Sequence, residues 1–379
     1  MGLPTIGDQL SDRHNSLNFL RLVLAGTVLV AHAAELGGFD GWIFIRTTDI
    51  GTIAVFGFFG ISGYLIACSA SRNNSIRYIW QRFLRIFPGF WVALVMTAFF
   101  FGVIAWAHSP LPHCDVGCYL GLPNGPVEYV YRNALLQINQ PTVASRGVGL
   151  YLGNSSIWTL FYEFGCYLIL LGLAVCGALR RRWMALVATG FAWGVSVLFM
   201  FVPALQKMVQ FPHNWTEMNL LKFVPIFMVG SVIYLYRECI PDSGWLALAC
   251  VATFVAGLWL PTNGKIPFEY LTPTALFAPL IAYPLLWLGI HLPFAKIGAR
   301  NDYSYGVYIY AWPITQVLVV LGAVRLGRVP FVMLAAVAVV PFAAASWWWI
   351  EKPAMSLRKI PAPAIVGRML GPKPVASDQ

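Results

Sequence analysis

Arg21, His32 and Glu35 lie together in one apolar stretch, Leu17 to Leu36, reading LNFLRLVLAGTVLVAHAAEL. An ionisable side chain in hydrocarbon costs about 3 kcal/mol or more, so such residues in a membrane-length stretch are functional candidates. Arg21 and His32 are eleven positions apart. That is about three helical turns, so they face the same way roughly 16 Å apart along a helix axis. Glu35 follows His32 by one turn on the same stripe. A fixed cation near one membrane surface suits an anion, and an imidazole near the other suits proton movement. Neighbouring helices could equally satisfy all three groups, and this stretch alone leaves both readings open.

Further candidates follow along the chain. In FGFFGISGYLIACS, Gly57, Gly60 and Gly63 recur every three residues, a small-residue face that another backbone can approach, with Ser62 inside it. In SIRYIWQRFLRIFP, Arg82 and Arg85 share one helical face near the surface. Paired guanidinium forks suit phosphate, and they also suit a plain anchor on lipid headgroups. NSSIWTLFYEFGCYLIL puts Glu163 about seven residues into a span, at a depth near that of His32, with Trp158 as an interface anchor or a pocket wall. NDYSYGVYIYAWPITQ carries Tyr305 and Tyr308 three apart, and Pro313 is expected to break the backbone ladder where a cavity could lie. The remaining histidines, His14, His108, His113, His213 and His291, fall in tails, loops or span ends and read as solvated groups.

The elements that must position these residues are membrane helices. Apolar residues make up 59% of 379 and charged residues 11%, and the mean hydropathy is +0.69. Soluble chains are roughly a quarter charged, so this is an all-α integral membrane protein. Ten spans are expected, near 17–36, 50–70, 87–107, 156–178, 183–202, 218–236, 244–260, 271–291, 303–323 and 330–350. Ten spans put both termini on one side, and most of the 25 Lys and Arg fall on that side, which the positive-inside rule makes cytoplasmic. His32 is then toward the outer face and Arg21 toward the cytoplasm. The net charge of +10 is not gathered in one domain, which speaks against a nucleic-acid partner.

The seven cysteines show no CxxC or Cys/His spacing, and no metal site is expected. Cys114 and Cys118 share an outer loop and could pair if it faces an oxidising compartment. That connection, 108–155, is too long for a simple turn and is either functional or partly structured. MGLPTIGDQLSDRHNS lacks the features of a cleavable signal, so the first helix should remain as an anchor. Residues 1–358 form the membrane domain, and 359–379 a Pro-rich tail expected to be disordered, with no second soluble domain.

Six segments in order resemble the motifs of the acyltransferase-3 family of polytopic membrane O-acyltransferases. They are FLRLVLAGTVLVAH (Arg, ten residues, His), FFGISGYL, RFLRIFP, WTLFYEFGCY, DYSYGVYIYAWP and WIEKPA. The resemblance spans about residues 15 to 358. It departs at Ala311, where many relatives carry His, and in lacking the secreted hydrolase-like domain that many append. The resemblance implies transfer of an acyl group, usually acetyl, from cytoplasmic acyl-CoA to a hydroxyl of a glycan, glycolipid or small molecule. The expected setting is a multi-pass protein of the cell (inner) membrane that modifies polysaccharide or lipid-linked carbohydrate among membrane lipids.

Within that expectation, Arg82, Arg85 and Arg21 hold the phosphates of acetyl-CoA, and its pantetheine arm passes Ser62 and Gly63. His32 is the general base or is itself acylated, Glu35 or Glu163 orients it, and Trp158, Tyr305 and Tyr308 line the acceptor side. The competing class is a transporter or flippase for a lipid-linked sugar, which would share the spans and basic loops without needing the Arg–His spacing beside an interfacial Arg pair.

Overall fold

The computed structural model describes residues 4–10, 15–39, 41, 44–45, 48–108, 115–143, 152–202, 215–259 and 273–359. In a bilayer every backbone polar group must be satisfied within the segment, so long apolar runs fold as helices. Among the described residues, apolar helices overlap the expected stretches. They are α1 (Leu17–Leu36), α2 (Ile50–Arg72), α3 (Ser75–Ala107), α4 (Thr159–Val175), α5 (Arg182–Phe201), α6 (Trp215–Leu235), α7 (Gly244–Leu258), α8 (Ala275–His291), α9 (Ser304–Val320) and α10 (Arg328–Ser356). Among the described residues, α1, α2, α3, α5, α6 and α10 are long and apolar enough to cross a membrane, whereas α4, α7 and α8 are shorter apolar helices.

Local chemistry sets the helix starts. Asp49 accepts from Thr52 N at 2.9 Å to open α2, and Asn74 accepts from Arg77 N at 2.8 Å to open α3. Helix α3 runs unbroken from Ser75, so Arg82 and Arg85 belong to the same helix as the third expected span. It carries a π-helical stretch at Met96–Phe101, and a second such stretch, Trp347–Glu351, interrupts α10. Such wide turns often mark functional positions.

Helix α2 sits at the centre and packs against α1, α3, α4, α6 and α8, while α9 packs against α1, α3 and α10. The glycine face of α2 is what lets α6 approach. A Cβ on Gly63 would overlap the Phe227 carbonyl, and one on Gly230 would overlap the Gly60 carbonyl. Ser231 Oγ adds a 3.1 Å bond to the Gly63 carbonyl.

Pro313 does not break α9, contrary to expectation, and the helix is continuous from Ser304 to Val320. A proline withholds the N–H that the carbonyl four residues earlier would accept. Here that carbonyl, Ile309 O, instead accepts from Asn154 Nδ2 at 2.7 Å. The same substitution occurs in α6, where Pro225 frees Leu221 O and Ser196 Oγ donates to it at 2.6 Å. Side chains from neighbouring helices thus replace the lost bonds.

The long connection after α3 is partly structured. Two short helices, Val116–Leu120 and Pro126–Asn133, bury Tyr119 and Tyr129, and Asn133 bonds the backbone of Asn139 and Gln140. Cys118 is disulfide-bonded, while Cys114 lies outside the described residues. A two-stranded hairpin, Phe44–Ile45 with Thr48–Asp49, joins α1 to α2. Residues 360–379, expected to be disordered, lie outside the described residues, as do His14, His113 and His213.

Candidate active site

At one end of α1, Arg21 is held in a buried charge cluster. Its Nη1 donates to Asp302 Oδ2 at 2.9 Å, and Arg85 Nη2 donates to the same oxygen at 2.6 Å. Arg85 Nη1 lies 3.3 Å from Glu351 Oε2, and Ser346 Oγ donates to Glu351 Oε1 at 3.0 Å. The π-helical stretch of α10 ends on Glu351, which is only 2% exposed. Asp302 precedes α9, and its Oδ1 accepts from the Ser304 hydroxyl at 2.5 Å and the Ser304 amide at 3.2 Å. Burial alone would raise the Asp302 pKa, but the Arg21 and Arg85 guanidiniums outweigh it and hold the carboxyl well below the ordinary carboxylate range.

Arg82 is different. Among the described residues its guanidinium takes no hydrogen bond or ion pair, its Nε is buried without a partner, and its charge lies 5.9 Å from the centre of the Tyr167 ring. With Gln81, Ser62, Glu163, Tyr167 and Arg358 it lines a cavity of about 120 Å³, whose wall also includes Arg21 and Arg85. Tyr167 OH and Ser62 Oγ both donate to Glu163 Oε1, at 2.5 and 3.2 Å.

His32 faces a larger cavity of about 580 Å³ at the other end of α1. Trp312 meets the imidazole edge-on with centroids 4.8 Å apart, and Glu35 Oε2 lies 3.8 Å from His32 Nδ1. Trp158, Tyr308, Asp49, Lys222 and Ser156 complete much of the wall. Between the two cavities lies a neck of about 40 Å³. It shares Arg21, Glu163 and Tyr305 with the first cavity, and Val55, Thr159 and Tyr308 with the second. The Tyr308 and Thr159 hydroxyls are hydrogen-bonded to each other at its far end.

The structure therefore brings together many of the expected residues but sorts them differently. Glu163 bonds Ser62 and Tyr167 beside Arg82, whereas Glu35 is the carboxylate against His32. Gly63 faces α6 and not the cavity, because α2 uses its glycines to admit the neighbouring backbone. Tyr305 belongs to the arginine end, where its hydroxyl donates to Ile86 O at 2.7 Å and Arg85 lies 5.5 Å from its ring centre. Arg21 and Arg85 are neutralised by carboxylates, which leaves Arg82 as the uncommitted cation of the three.

Asp302, Glu351, Tyr167, Trp312, Lys222 and Arg358 were not expected at the site. For Asp302 and Glu351 the sequence shows only a carboxylate at a span end, and the arginines that pair with them lie more than 200 residues away in the chain. Among the described residues there is no group of His, Cys, Asp or Glu able to hold a metal ion.

Residues 14–348 match a protein family described as "Acyltransferase domain". The chain is 28% identical over 349 residues to an O-acetyl transferase of Shigella phage Sf6, covering 90% of this chain and 96% of that protein. It is 28% identical over 378 residues to nodulation protein 10 of Rhizobium leguminosarum bv. viciae, covering 92% and 95%. No solved structure matches. The charge cluster, the titratable imidazole and the six ordered motifs thus sit in a helical membrane protein that belongs to the acyltransferase-3 family.

Proposed function

We propose that this protein is a membrane O-acyltransferase that moves an acetyl group from cytoplasmic acetyl-CoA, or another acyl-CoA, to a hydroxyl of a carbohydrate or lipid-linked carbohydrate. The observation that carries this reading is the series of three cavities with shared walls, running from Arg82 at one end of α1 to His32 at the other. A polyanionic donor needs an unspent cation where it enters, and Arg82 is one. Arg358 lines the same space, while Arg21 and Arg85 hold its shape through Asp302 and Glu351. The thioester arm then passes Ser62 and the neck toward His32.

His32 takes the acceptor's proton as general base or carries the acyl group itself, and Glu35 favours the charged imidazolium that either route forms. The His32 cavity suits a sugar: Trp158 and Trp312 offer flat apolar faces, and Asp49, Lys222 and Ser156 offer polar partners. The acetyl donor is supported by the name of the phage relative.

We place all ten helices across the cell (inner) membrane with both termini cytoplasmic. Arg72, Arg77, Arg82, Arg180, Arg181, Arg182, Arg237, Lys352 and Arg358 would then gather on the cytoplasmic side. Residues 1–358 act as one catalytic domain among membrane lipids, working on polysaccharide or its precursors.

The test is release of free CoA by the purified protein in nanodiscs, given acetyl-CoA with and without candidate glycans. Replacing a general base removes roughly 10²–10⁴-fold in rate. His32→Ala should therefore bind CoA, remain folded and release almost none. A folded His32→Ala protein with wild-type release refutes the role of His32, and a wild-type protein that moves lipid-linked sugar without releasing CoA is a transporter.

A further inference from the structure

Glu163 stands at the boundary between the Arg82 cavity and the neck. On α4, Thr159, Glu163 and Tyr167 follow one another at intervals of four residues, so they share one stripe of the helix. Thr159 lines the His32 cavity and the neck, Glu163 the neck and the Arg82 cavity, and Tyr167 the Arg82 cavity. The Tyr305, Tyr308 and Trp312 stripe of α9 runs along the same three spaces from the other end. Glu163 therefore faces the passage, with a residue of the same stripe in it one turn to either side.

Only one oxygen of its carboxylate is spent. Tyr167 OH and Ser62 Oγ both donate to Oε1, at 2.5 and 3.2 Å, and among the described residues Oε2 accepts no hydrogen bond. An ionised carboxylate is an acceptor at both oxygens, so Oε2 has capacity for a donor brought by a ligand. The neck beside it is narrow and apolar. Its volume of about 40 Å³, at about 10–15 Å³ for each water-sized group, holds about three such groups between Val55, Phe58 and Phe59. Ring contacts fix that wall, since Phe59 stacks on Phe223 with centroids 4.3 Å apart and Phe58 meets Tyr308 edge-on at 5.9 Å.

We infer that the neck holds the thioethyl link of the acyl donor, sulfur and its two methylenes, and that Glu163 Oε2 accepts a hydrogen bond from the amide N–H next to that link, as a positioning residue. The inference rests on the proposed acyl transfer from acyl-CoA. In such a donor the thioethyl link is the slim, weakly polar piece between the acyl carbonyl and the first amide of the arm, and it matches the neck in size and polarity. With the link in the neck, the carbonyl emerges on the His32 side beside Tyr308, and the amide stays on the Arg82 side beside Glu163. An amide N–H taken out of water to the edge of an apolar waist is costly unless it finds an acceptor. A charged acceptor there fixes how far the thioester reaches beyond the neck. Thioesters that lack this amide are then poor donors.

The experiment gives the full chain in nanodiscs either acetyl-CoA or its ester analogue, in which oxygen replaces the amide N–H nearest sulfur, and follows thiol release. A hydrogen bond to a charged group is worth roughly 10–100-fold, so wild type should prefer acetyl-CoA by that factor in kcat/KM. Glu163→Gln keeps an oxygen for Tyr167 and Ser62 but places an amino group where Oε2 stood, so its preference should vanish through slower use of acetyl-CoA. Equilibrium binding of CoA and its ester analogue reads the same preference where turnover is slow. A Glu163 that only supports the fold would slow both donors equally, and an unchanged preference in Glu163→Gln overturns the inference. Wild type that uses the two donors equally well also overturns it, and that comparison needs no variant. Wild type that releases no thiol from acetyl-CoA overturns the underlying acyl-transfer reading, a result separate from both.

Discussion

Arg82 and Arg85 stand one helical turn apart, yet replacing each with alanine should have opposite consequences. Arg85 lies between Asp302 at 2.6 Å and Glu351 at 3.3 Å, and all three side chains are at most 15% exposed. Removing its charge leaves Glu351 without a cation and Asp302 with Arg21 alone. Breaking a buried ion pair by deleting one partner costs about 3–5 kcal/mol. Among the described residues Arg82 has no hydrogen-bond or ion-pair partner. Its loss should cost less than about 1 kcal/mol, chiefly the contact of its charge with the Tyr167 ring. For donor binding, one or two charged hydrogen bonds to phosphate contribute about 1.5–3 kcal/mol each, so Arg82→Ala should weaken CoA binding by roughly 10–100-fold or more. The assay pairs equilibrium unfolding in mixed micelles with calorimetric titration of CoA. Arg85→Ala should unfold at markedly lower denaturant, and Arg82→Ala should unfold normally and bind poorly. If Arg85→Ala is as stable as wild type, or Arg82→Ala binds CoA unchanged, the division of labour drawn from the ion pairs is wrong.

Two other outcomes follow from the same geometry. Asp302 has a folded-state pKa held below its unfolded value, so its contribution is fully present above about pH 4 and is lost as pH falls further. The thermal midpoint of wild type should therefore drop more steeply below pH 4 than that of Asp302→Asn, and equal acid limbs would remove the cluster as a source of stability. Gly63→Ala should force α2 away from the Phe227 carbonyl at a cost of about 1–3 kcal/mol while leaving CoA affinity intact. Weakened binding in a stable Gly63→Ala protein would instead return Gly63 to the donor path.

Much of this arrangement was legible in the sequence. Uninterrupted apolar runs fix where helices stand, and α1 occupies the expected Leu17–Leu36 stretch. The eleven-residue interval does separate the buried ion-pair cluster at Arg21 from the His32 imidazole, because helical rise is constant. What the chain order could not reveal was pairing across space. Asp302 is 281 residues from Arg21 and 217 from Arg85, and no local pattern reports that these three converge. Side-chain direction was likewise hidden. Gly63 and Ser62 are neighbours, yet one meets α6 and the other reaches Glu163, a difference set by how three helices cross. Pro313 misled because a proline announces a missing amide and says nothing about a distant asparagine that can take its place.

The neck between the two cavities bears on what a membrane can tolerate. Polar hollows opening from both ends of a helix bundle risk becoming a leak for protons and small ions. A space of about 40 Å³ has room for only a few waters. It is walled by Phe58, Phe59 and Val55, and the bonded Tyr308–Thr159 hydroxyls stand at its edge. An ion would have to shed most of its hydration shell to cross so narrow and apolar a waist, which sets a barrier between the two polar cavities.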